Sequence, residues 1–505
     1  MIRRSLSLAA VVSLGAMMAC GDGSNAPAPV ADAADGGAET QAFGQVLTVD
    51  QIAVYQAVKV SLVTEAQAVA PNAPVIPKRP ALVRIHTKLP PRVKVAKLTA
   101  ELRIRAPGQP DLVLVNGPRS ITSWAEDDLS SSFYWELEAE QVQPGAQLLV
   151  EIRDPSGADP SVIRYPAEGE LPMNVEAWEP TLKVKFVPIR YDADGSGRIP
   201  SMDKRTIDSY RDALYKMYPV THVDISVREV VPWPLEVRGD GEGWNQLLDA
   251  VIETREDDRA ADDVYYVGVF TPNETQREYC QGGGCILGIA PAGSLGENVA
   301  LRTAMIVGYH SARSHGTLAQ ELAHAMGRMH APCGGPTGID RKYPYADASI
   351  GTWGWDVLEK ELIDPDERVD FMSYCNPVWV SDYTYAGIHA RMVEVEREKR
   401  PVPDAPSGPA GGDETPSSQR QASQRQAMKT YHVAKDGTLT AGPTIHGAPS
   451  AADELVLEDA SHRAVGTVRG SFRPISNIGG GILVTPSAIP AETLKRARFA
   501  RPVAP

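Results

Sequence analysis

The chain is poor in cysteine, in aromatic residues and in long apolar runs. Among its 505 residues there are 5 cysteines, and aromatic residues make up 6%. Cysteine is therefore too scarce for a disulfide scaffold that replaces a hydrophobic core. Beyond residue 20, no apolar stretch approaches the roughly 20 residues that a membrane-spanning helix needs. A hydrophobic content of 43% is enough for several cores, and the length predicts roughly two to four globular domains.

Basic residues are also fewer than acidic residues. The chain has 50 Lys and Arg residues against 64 Asp and Glu residues, which gives a formal net charge of -14. A surface of this sign repels phosphate groups, so nucleic acid and anionic membrane surfaces are disfavoured as partners. The charge does not identify a substrate.

Residues 1–20 have the features of an export signal. Arg3 and Arg4 precede a short apolar stretch, and the segment ends in the letters MMACG. This stretch is too short to span a bilayer. A small residue before Cys20 resembles a bacterial lipobox, in which the cysteine is acylated. The sequence thus predicts a lipid-anchored protein of the bacterial cell envelope, at the outer membrane or surface. Simple signal cleavage followed by secretion is the alternative.

One segment carries most of the recognisable chemistry. Residues 320–330 read QELAHAMGRMH. On a helix, positions i and i+4 share a face, so Gln320 and His324 can point at one metal ion. Glu321 is placed beside them to act as a general base toward water. Gly327 tolerates the positive φ that ends a helix, and the turn brings His330 to the same site.

A second short segment completes a family resemblance. Residues 370–374 read DFMSY and look like a methionine turn. Together the two segments resemble the metzincin zinc endopeptidases, whose motif H-E-x-x-H-x-x-G-x-x-H is followed by such a turn. The resemblance covers roughly residues 181–400. It implies that Met372 lies under the metal site and that Tyr374 is an additional, switchable zinc ligand.

The resemblance also implies a function. The chain is expected to be an exported zinc-dependent endopeptidase that hydrolyses peptide bonds of proteins bound in an extended conformation. His324 and His330 would hold Zn²⁺, and Gln320 or Tyr374 would complete the site, with Glu321 activating the attacking water. Gln320 stands where the family has histidine, and an amide oxygen is a weaker zinc ligand than imidazole nitrogen. The alternative is a catalytically dead homologue that binds protein or glycoprotein at the surface.

The cysteines beyond Cys20 all lie in the region of this resemblance. An even number of them in an oxidising compartment suggests disulfides. Three pairings are open, of which we favour Cys280 with Cys285 and Cys333 with Cys375. The second bond would tie the loop after His330 to the methionine turn. A zinc site made of all four cysteines is a further alternative, although their spacing suits it poorly.

The predicted organisation is multidomain. An α+β metzincin-like catalytic domain, with a mixed sheet, an active-site helix and a methionine turn, follows an immunoglobulin-like β-sandwich and precedes a small β module. The sandwich prediction depends on alternating apolar runs separated by turn residues at 54–60, 81–85, 98–104, 133–137 and 147–152. The predicted segments are a signal peptide 1–20, a flexible tether 21–46, a β-sandwich 47–180, a catalytic domain 181–400, a linker 401–427 and a β module 428–505.

Within the catalytic region, apolar periodicity predicts helices over 204–217, 243–256 and about 384–399. Buried strands are predicted at 264–270 and 304–308, and the second is expected to be the sheet edge beside the cleft. In metzincins that edge pairs with the substrate by β-strand addition.

Residues 192–203 resemble a calcium loop. Oxygen-bearing side chains stand at loop positions 1, 3, 5 and 12, which are Asp192, Asp194, Ser196 and Asp203. Asp203 replaces the usual glutamate, and a strand rather than a helix precedes the loop. The sequence therefore predicts either a Ca²⁺ site or a solvated turn that caps the next helix.

Overall fold

The computed structural model describes residues 43–90, 97–120, 124–281, 284–292, 298–309, 311–399, 426–447 and 453–502. The predicted signal peptide with Cys20, the tether up to residue 42 and the linker 401–425 lie outside these residues. The described chain is a β-rich multidomain protein with few helices. In these ranges no helix has the length and apolarity to cross a membrane.

The N-terminal region contains two sheets that share one hydrophobic core. The first has the strand order β3-β2-β1-β4-β7 and the second β10-β8-β5-β6, with β9 on β8. The strands are β1 (Thr48–Tyr55), β2 (Lys59–Thr64), β3 (Gln67–Ala68), β4 (Ala81–Lys88), β5 (Leu98–Arg105), β6 (Leu112–Arg119), β7 (Phe133–Leu137), β8 (Gln147–Arg153), β9 (Val162–Tyr165) and β10 (Leu171–Pro172).

Two details of this region differ from the sequence prediction. The run 54–60 is not one strand, because β1 ends at Tyr55 and the chain turns back into β2. The last four residues of the predicted tether form a short helix α1 (Phe43–Val46), because Phe43 is buried in the shared core.

The central region is built on a mixed sheet with the order β12-β11-β14-β16-β15. Its strands are β11 (Thr181–Tyr191), β12 (His222–Val227), β13 (Val231–Trp233, paired with the end of β11), β14 (Val264–Phe270), β15 (Gly288–Ile289) and β16 (Thr303–Val307). All neighbours are parallel except β15, which pairs antiparallel to β16. The edge is therefore β15, and the prediction that residues 304–308 form it is wrong because β16 has partners on both sides.

Helices cover both faces of the central sheet. They are α2 (Lys204–Met217), α3 (Trp244–Asp257), α4 (Gln276–Tyr279), α5 (Ala312–Ala325) and α6 (Asp382–Lys399). Apolar residues of α2 and α5 share one core with every second residue of β14 and β16. The intervening residues of these two strands face the other side of the sheet and pack with α3. Burial on both faces explains why β14 and β16 read as continuous apolar runs. Four short strands follow α5 in two pairs, namely β17 (Gly354–Asp356) with β18 (Glu361–Ile363), and β19 (Val369–Asp370) with β20 (Val378–Trp379).

The C-terminal region forms a six-stranded antiparallel sheet of order β22-β21-β25-β24-β23-β26. Its elements are β21 (Gln426–Val433), β22 (Leu439–Gly447), β23 (Asp453–Glu458), β24 (Ala464–Pro474), β25 (Gly481–Thr485), α7 (Ala491–Arg496) and β26 (Arg498–Pro502). Met428, Ile445 and Ile482 join the core on the α3 face of the central sheet. The C-terminal module is thus packed directly on the central region.

A buried histidine in the N-terminal region makes stability dependent on pH. His86 stacks on Trp124 with ring centroids 4.4 Å apart. Neither ring nitrogen has a hydrogen-bond partner in the described chain, and the nearest carboxylate oxygen, on Glu126, is 3.8 Å from Nδ1. Burial lowers the pKa of His86 to about 3, although Glu126 acts in the opposite direction and Arg84 and Lys59 add to the lowering. The folded protein therefore holds this ring neutral.

We expect acid to destabilise the fold through His86. Since its folded pKa lies below the unfolded value, the unfolded chain binds the extra proton, and stability is lost as pH falls from about 6.5 toward 3. Between pH 6.5 and 5 the loss is about 1.5 kcal/mol. His86→Phe should lose less stability over this interval in thermal melts, and the exposed His222→Gln should behave as the original chain. Equal losses in all three chains would contradict this role.

Candidate active site

The candidate site lies where helix α5 ends. Ser311 caps the start of α5 by accepting a hydrogen bond from the Ser314 N–H at 3.3 Å. The helix ends at Ala325, and Gly327 adopts a φ of 87°. Glycine tolerates this conformation without strain, so the chain turns and brings His330 beside His324. The predicted geometry of helix and turn is present.

The two histidines face each other. The Nε2 atoms of His324 and His330 are 3.0 Å apart. Their Nδ1 atoms lie 2.7 Å from the Arg328 carbonyl oxygen and 2.6 Å from that of Thr337. A carbonyl only accepts, so we assign both Nδ1 atoms as N–H donors, which leaves the Nε2 lone pairs directed at each other.

This arrangement fits a divalent metal ion. Two facing lone pairs at this distance repel unless a proton or a cation lies between them, and a backbone carbonyl behind each ring is the usual support of a metal-binding histidine. Burial lowers the pKa of both His324 and His330, and each histidine's hydrogen bond to a carbonyl raises it in part. Neutral imidazole is the form that binds metal.

A third ligand is less evident. In the described chain there is no group of three or more His, Cys, Asp or Glu side chains suited to a metal ion. Gln320 is half-buried on α5, and its Nε2 lies 3.4 Å from the Ser373 carbonyl oxygen. Tyr374 lies with its ring centroid 5.1 Å from that of His330. The residues expected to complete the site are therefore close to the histidines, and neither supplies a strong ligand such as imidazole.

The methionine turn is held by a buried carboxylate. Asp370 is 0% exposed. It accepts hydrogen bonds from the Met372 N–H at 2.7 Å and from the Ser381 N–H at 2.9 Å, and the Ser381 hydroxyl also donates to it. Met372 is buried, and its carbonyl accepts from the Ala331 N–H at 3.0 Å. The turn is thus fixed directly against the loop that follows His330.

Both favoured disulfides are confirmed. The sulfurs are 1.99 Å apart in Cys280–Cys285 and 1.93 Å apart in Cys333–Cys375. Beside the second bond, the Tyr374 N–H donates to the Cys333 carbonyl at 3.0 Å. Covalent and hydrogen bonds together hold the methionine turn to the third-histidine loop. The two disulfides are compatible with a secreted or exported protein.

Glu321 is fully enclosed within the site. It is 0% exposed. The edge residue Gly288 permits this packing, because a Cβ there would lie 2.6 Å from Glu321 Cγ. Burial raises the pKa of Glu321 to about 8, while hydrogen bonds from Ser476 and Asn477 lower it in part. A carboxyl group with a pKa near neutrality can both take and return a proton.

Those two hydrogen bonds come from the C-terminal module. Ser476 Oγ donates to Glu321 Oε2 at 2.7 Å, and Asn477 Nδ2 donates to Oε1 at 2.7 Å. The Tyr374 hydroxyl donates to Asn477 Oδ1. Burial, with a contribution from Glu321, raises the pKa of Tyr374 to about 12, so this hydroxyl stays protonated.

Sequence reasoning missed Gly288, Ser476 and Asn477 as parts of the site. Gly288 follows a loop with two cysteines, and the other two residues lie between two strand-like runs near three consecutive glycines. A local pattern of this kind indicates a turn. No local signal shows which distant surface the turn contacts.

The predicted calcium loop is closed by its own contacts. Asp203 caps α2 by accepting from the Thr206 N–H at 2.8 Å. Asp194 pairs with Arg198 and accepts from the Ser196 N–H at 3.1 Å. Asp192 lies 3.1 Å from Arg190 Nε. These contacts match the alternative of a turn that caps the next helix, and Ca²⁺ binding stays a prediction.

The comparison with known protein families bears on this same region. The family described as Peptidase M66 matches residues 304–376. The matched segment starts in β16 and contains α5, the third-histidine loop and the methionine turn, and with them Gln320, Glu321, His324, His330 and Tyr374. The match supports a peptidase domain here. No curated protein sequence matches the chain.

Removing the disulfide at the site should cost more stability than removing the other. Cys333 and Cys375 are separated by 42 positions, and Cys280 and Cys285 by 5. On the chain-entropy treatment the longer loop contributes about 4 kcal/mol and the shorter about 2 kcal/mol. We therefore expect Cys333→Ser/Cys375→Ser to lower the denaturation midpoint more than Cys280→Ser/Cys285→Ser. The reverse order would show that strain or unfolded-state structure dominates.

Proposed function

We propose that the chain is an exported zinc-dependent endopeptidase whose metal site is weakened by Gln320. The observation that carries the proposal is that the Nε2 atoms of His324 and His330 lie 3.0 Å apart on the same helix and turn that hold the buried Glu321. The Peptidase M66 match over the same residues supports it.

Each residue of the site would have a distinct role in peptide hydrolysis. His324 and His330 would hold zinc together with Gln320 or Tyr374. Zinc, when bound, supplies a Lewis acid that polarises the peptide carbonyl and stabilises the oxyanion. Glu321 takes a proton from the attacking water and returns it to the leaving amine. The Tyr374 hydroxyl is a protonated donor at the same place.

The antiparallel edge strand supports an extended peptide as substrate. Among the described strands β15 pairs with β16 alone, so its outer side can add one more strand. Main-chain hydrogen bonds to such an edge bind a peptide without reading its sequence, and pockets for its side chains then give specificity.

A second candidate is a dead peptidase scaffold that binds protein or glycoprotein. The observation that favours it is Gln320 itself, whose amide group lies near the Ser373 carbonyl at 3.4 Å. A neutral amide is a weak zinc ligand, and this one already has a backbone partner.

Glu321→Gln should separate chemistry from metal binding. We expect cleavage of reduced, carboxymethylated casein to fall about 10²–10⁴-fold, because the general base is lost. Zinc content, measured by elemental analysis of chain purified without chelator, should not change. The exposed Glu359→Gln serves as control. Cleavage that survives in Glu321→Gln would contradict the mechanism.

Gln320→His should restore a strong ligand. Loss of a group that merely supports a ligand costs about 10–100-fold in metal affinity, so gain of a ligand should raise zinc affinity by at least that factor. Competition with a chromogenic chelator measures it. Gln320→Ala is the matched control, since affinity drops further only if the amide is a ligand. Activity that appears only in Gln320→His would favour the dead scaffold, and unchanged affinity would contradict the metal site.

A further inference from the structure

The hairpin between β24 and β25 continues the central sheet. We call its turn, residues 475–480, the tip. The Ala292 N–H donates to the Pro474 carbonyl at 2.7 Å, and the Ser476 N–H donates to the Ala290 carbonyl at 2.9 Å. The Ala290 N–H in turn donates to Ser476 Oγ at 2.8 Å. The tip therefore adds a strand-like segment directly after the edge strand β15.

The tip also forms hydrogen bonds with three residues of the cleft. Asn477 Nδ2 donates to Glu321 Oε1 and, at 2.8 Å, to the Gly288 carbonyl. Asn477 Oδ1 accepts from Tyr374, and Ser476 Oγ donates its one proton to Glu321. Each oxygen of the Glu321 carboxyl group thus has a partner from the tip.

The backbone of the tip leaves the sheet edge at the point where a bound peptide would continue in extended conformation. Asn477 has a φ of 64°, and Gly479 and Gly480 have φ values of 72° and 75°. The Ile478 N–H donates back to the Ser476 carbonyl at 2.7 Å. A peptide added to a sheet edge has extended backbone throughout, so the tip begins like a substrate and then leaves the cleft as a tight turn.

We propose that the tip is an internal competitor for peptide. It docks on residues 290–292 and on Glu321, and an extended peptide enters the cleft only when the tip has left. The inference rests on the proposed function, because it takes the cleft to be a peptide-binding site. Its occupant is a segment of this same chain.

The module has separate anchors, so the tip can leave without the module. His432 Nε2 lies 2.7 Å from Asp249 Oδ1 on α3. The His446 N–H donates to Glu256 Oε2, also on α3, at 3.1 Å. The buried side chains of Met428 and Ile445 join the core beneath them. Displacement then concerns the tip alone, and of its residues Ile475 would leave the core on the α3 face.

Two variants with opposite effects test the proposal in the full chain. Ser476→Ala/Asn477→Gly removes the two side-chain hydrogen bonds to Glu321 described above and keeps a residue that tolerates positive φ at 477. The matched control is Ser461→Ala/His462→Gly in the β23–β24 turn, where His462 has a φ of 58°. Circular dichroism and thermal melts of both establish that the module is folded.

The second variant locks the tip. Pro291 and Ile475 are antiparallel partners flanked by the hydrogen bonds described above. Such a pair has Cα atoms about 4.5 Å apart, within the range that a disulfide spans. Pro291→Cys/Ile475→Cys should therefore crosslink in oxidising buffer and open with dithiothreitol. The original chain in the same reductant controls for the two native disulfides.

The readout is binding of fluorescein-labelled, reduced and carboxymethylated casein, followed by anisotropy, with cleavage followed on gels. We expect the Ser476→Ala/Asn477→Gly chain to bind casein at least 10-fold more tightly than the original chain and the matched control. The locked chain should not bind until it is reduced. Equal binding in the original, opened and locked chains, or equal absence of binding, overturns the competitor.

Cleavage separates this result from the proposed function. One outcome is that casein affinity rises in the opened chain and vanishes in the locked chain while no chain, including Gln320→His, cleaves casein. That result supports the tip as a competitor and contradicts the proposed peptidase function. Cleavage at one rate in the original, opened and locked chains upholds the peptidase and refutes the competitor.

Discussion

The structure of the site depends on the enclosure of one carboxyl group. Glu321 has no exposed surface, and both of its oxygens are bonded to residues of another module, 155 and 156 positions later in the chain. A buried carboxyl group without partners costs several kcal/mol or stays protonated. Edge residue Gly288, the tip and the packing of the C-terminal module on α3 are all arranged so that this group is both buried and hydrogen-bonded.

Around that carboxyl, two parts of the chain are held together by different forces. Helix α5 and its glycine turn position the histidines by local backbone geometry. The methionine turn is instead positioned by Asp370, by a hydrogen bond to the loop after His330 and by the Cys333–Cys375 bond. The two histidines and the methionine turn thus share one frame, while the residues that cover Glu321 belong to a hairpin anchored elsewhere.

Much of this frame could be predicted from local pattern. Helix α2 coincides with the predicted 204–217, β14 with 264–270, and both disulfides were expected, because periodicity, spacing and turn residues act over short distances. The sheet edge was assigned wrongly, since β15 is only two residues long and carries no periodic signal. The contact of Ser476 and Asn477 with Glu321 could not be predicted, because it depends on how two modules pack.

The position of the tip late in the sequence determines when its contact with Glu321 can form. Synthesis proceeds from the N-terminus, and domains tend to fold as they emerge. Residues 311–399 contain the histidines, Glu321 and the methionine turn, and they precede the tip by about 80 to 160 residues. A newly made central domain therefore has its cleft formed before anything covers it, and the cover arrives last. A chain cut short in the segment between α6 and β21 would keep the site and lack the cover permanently.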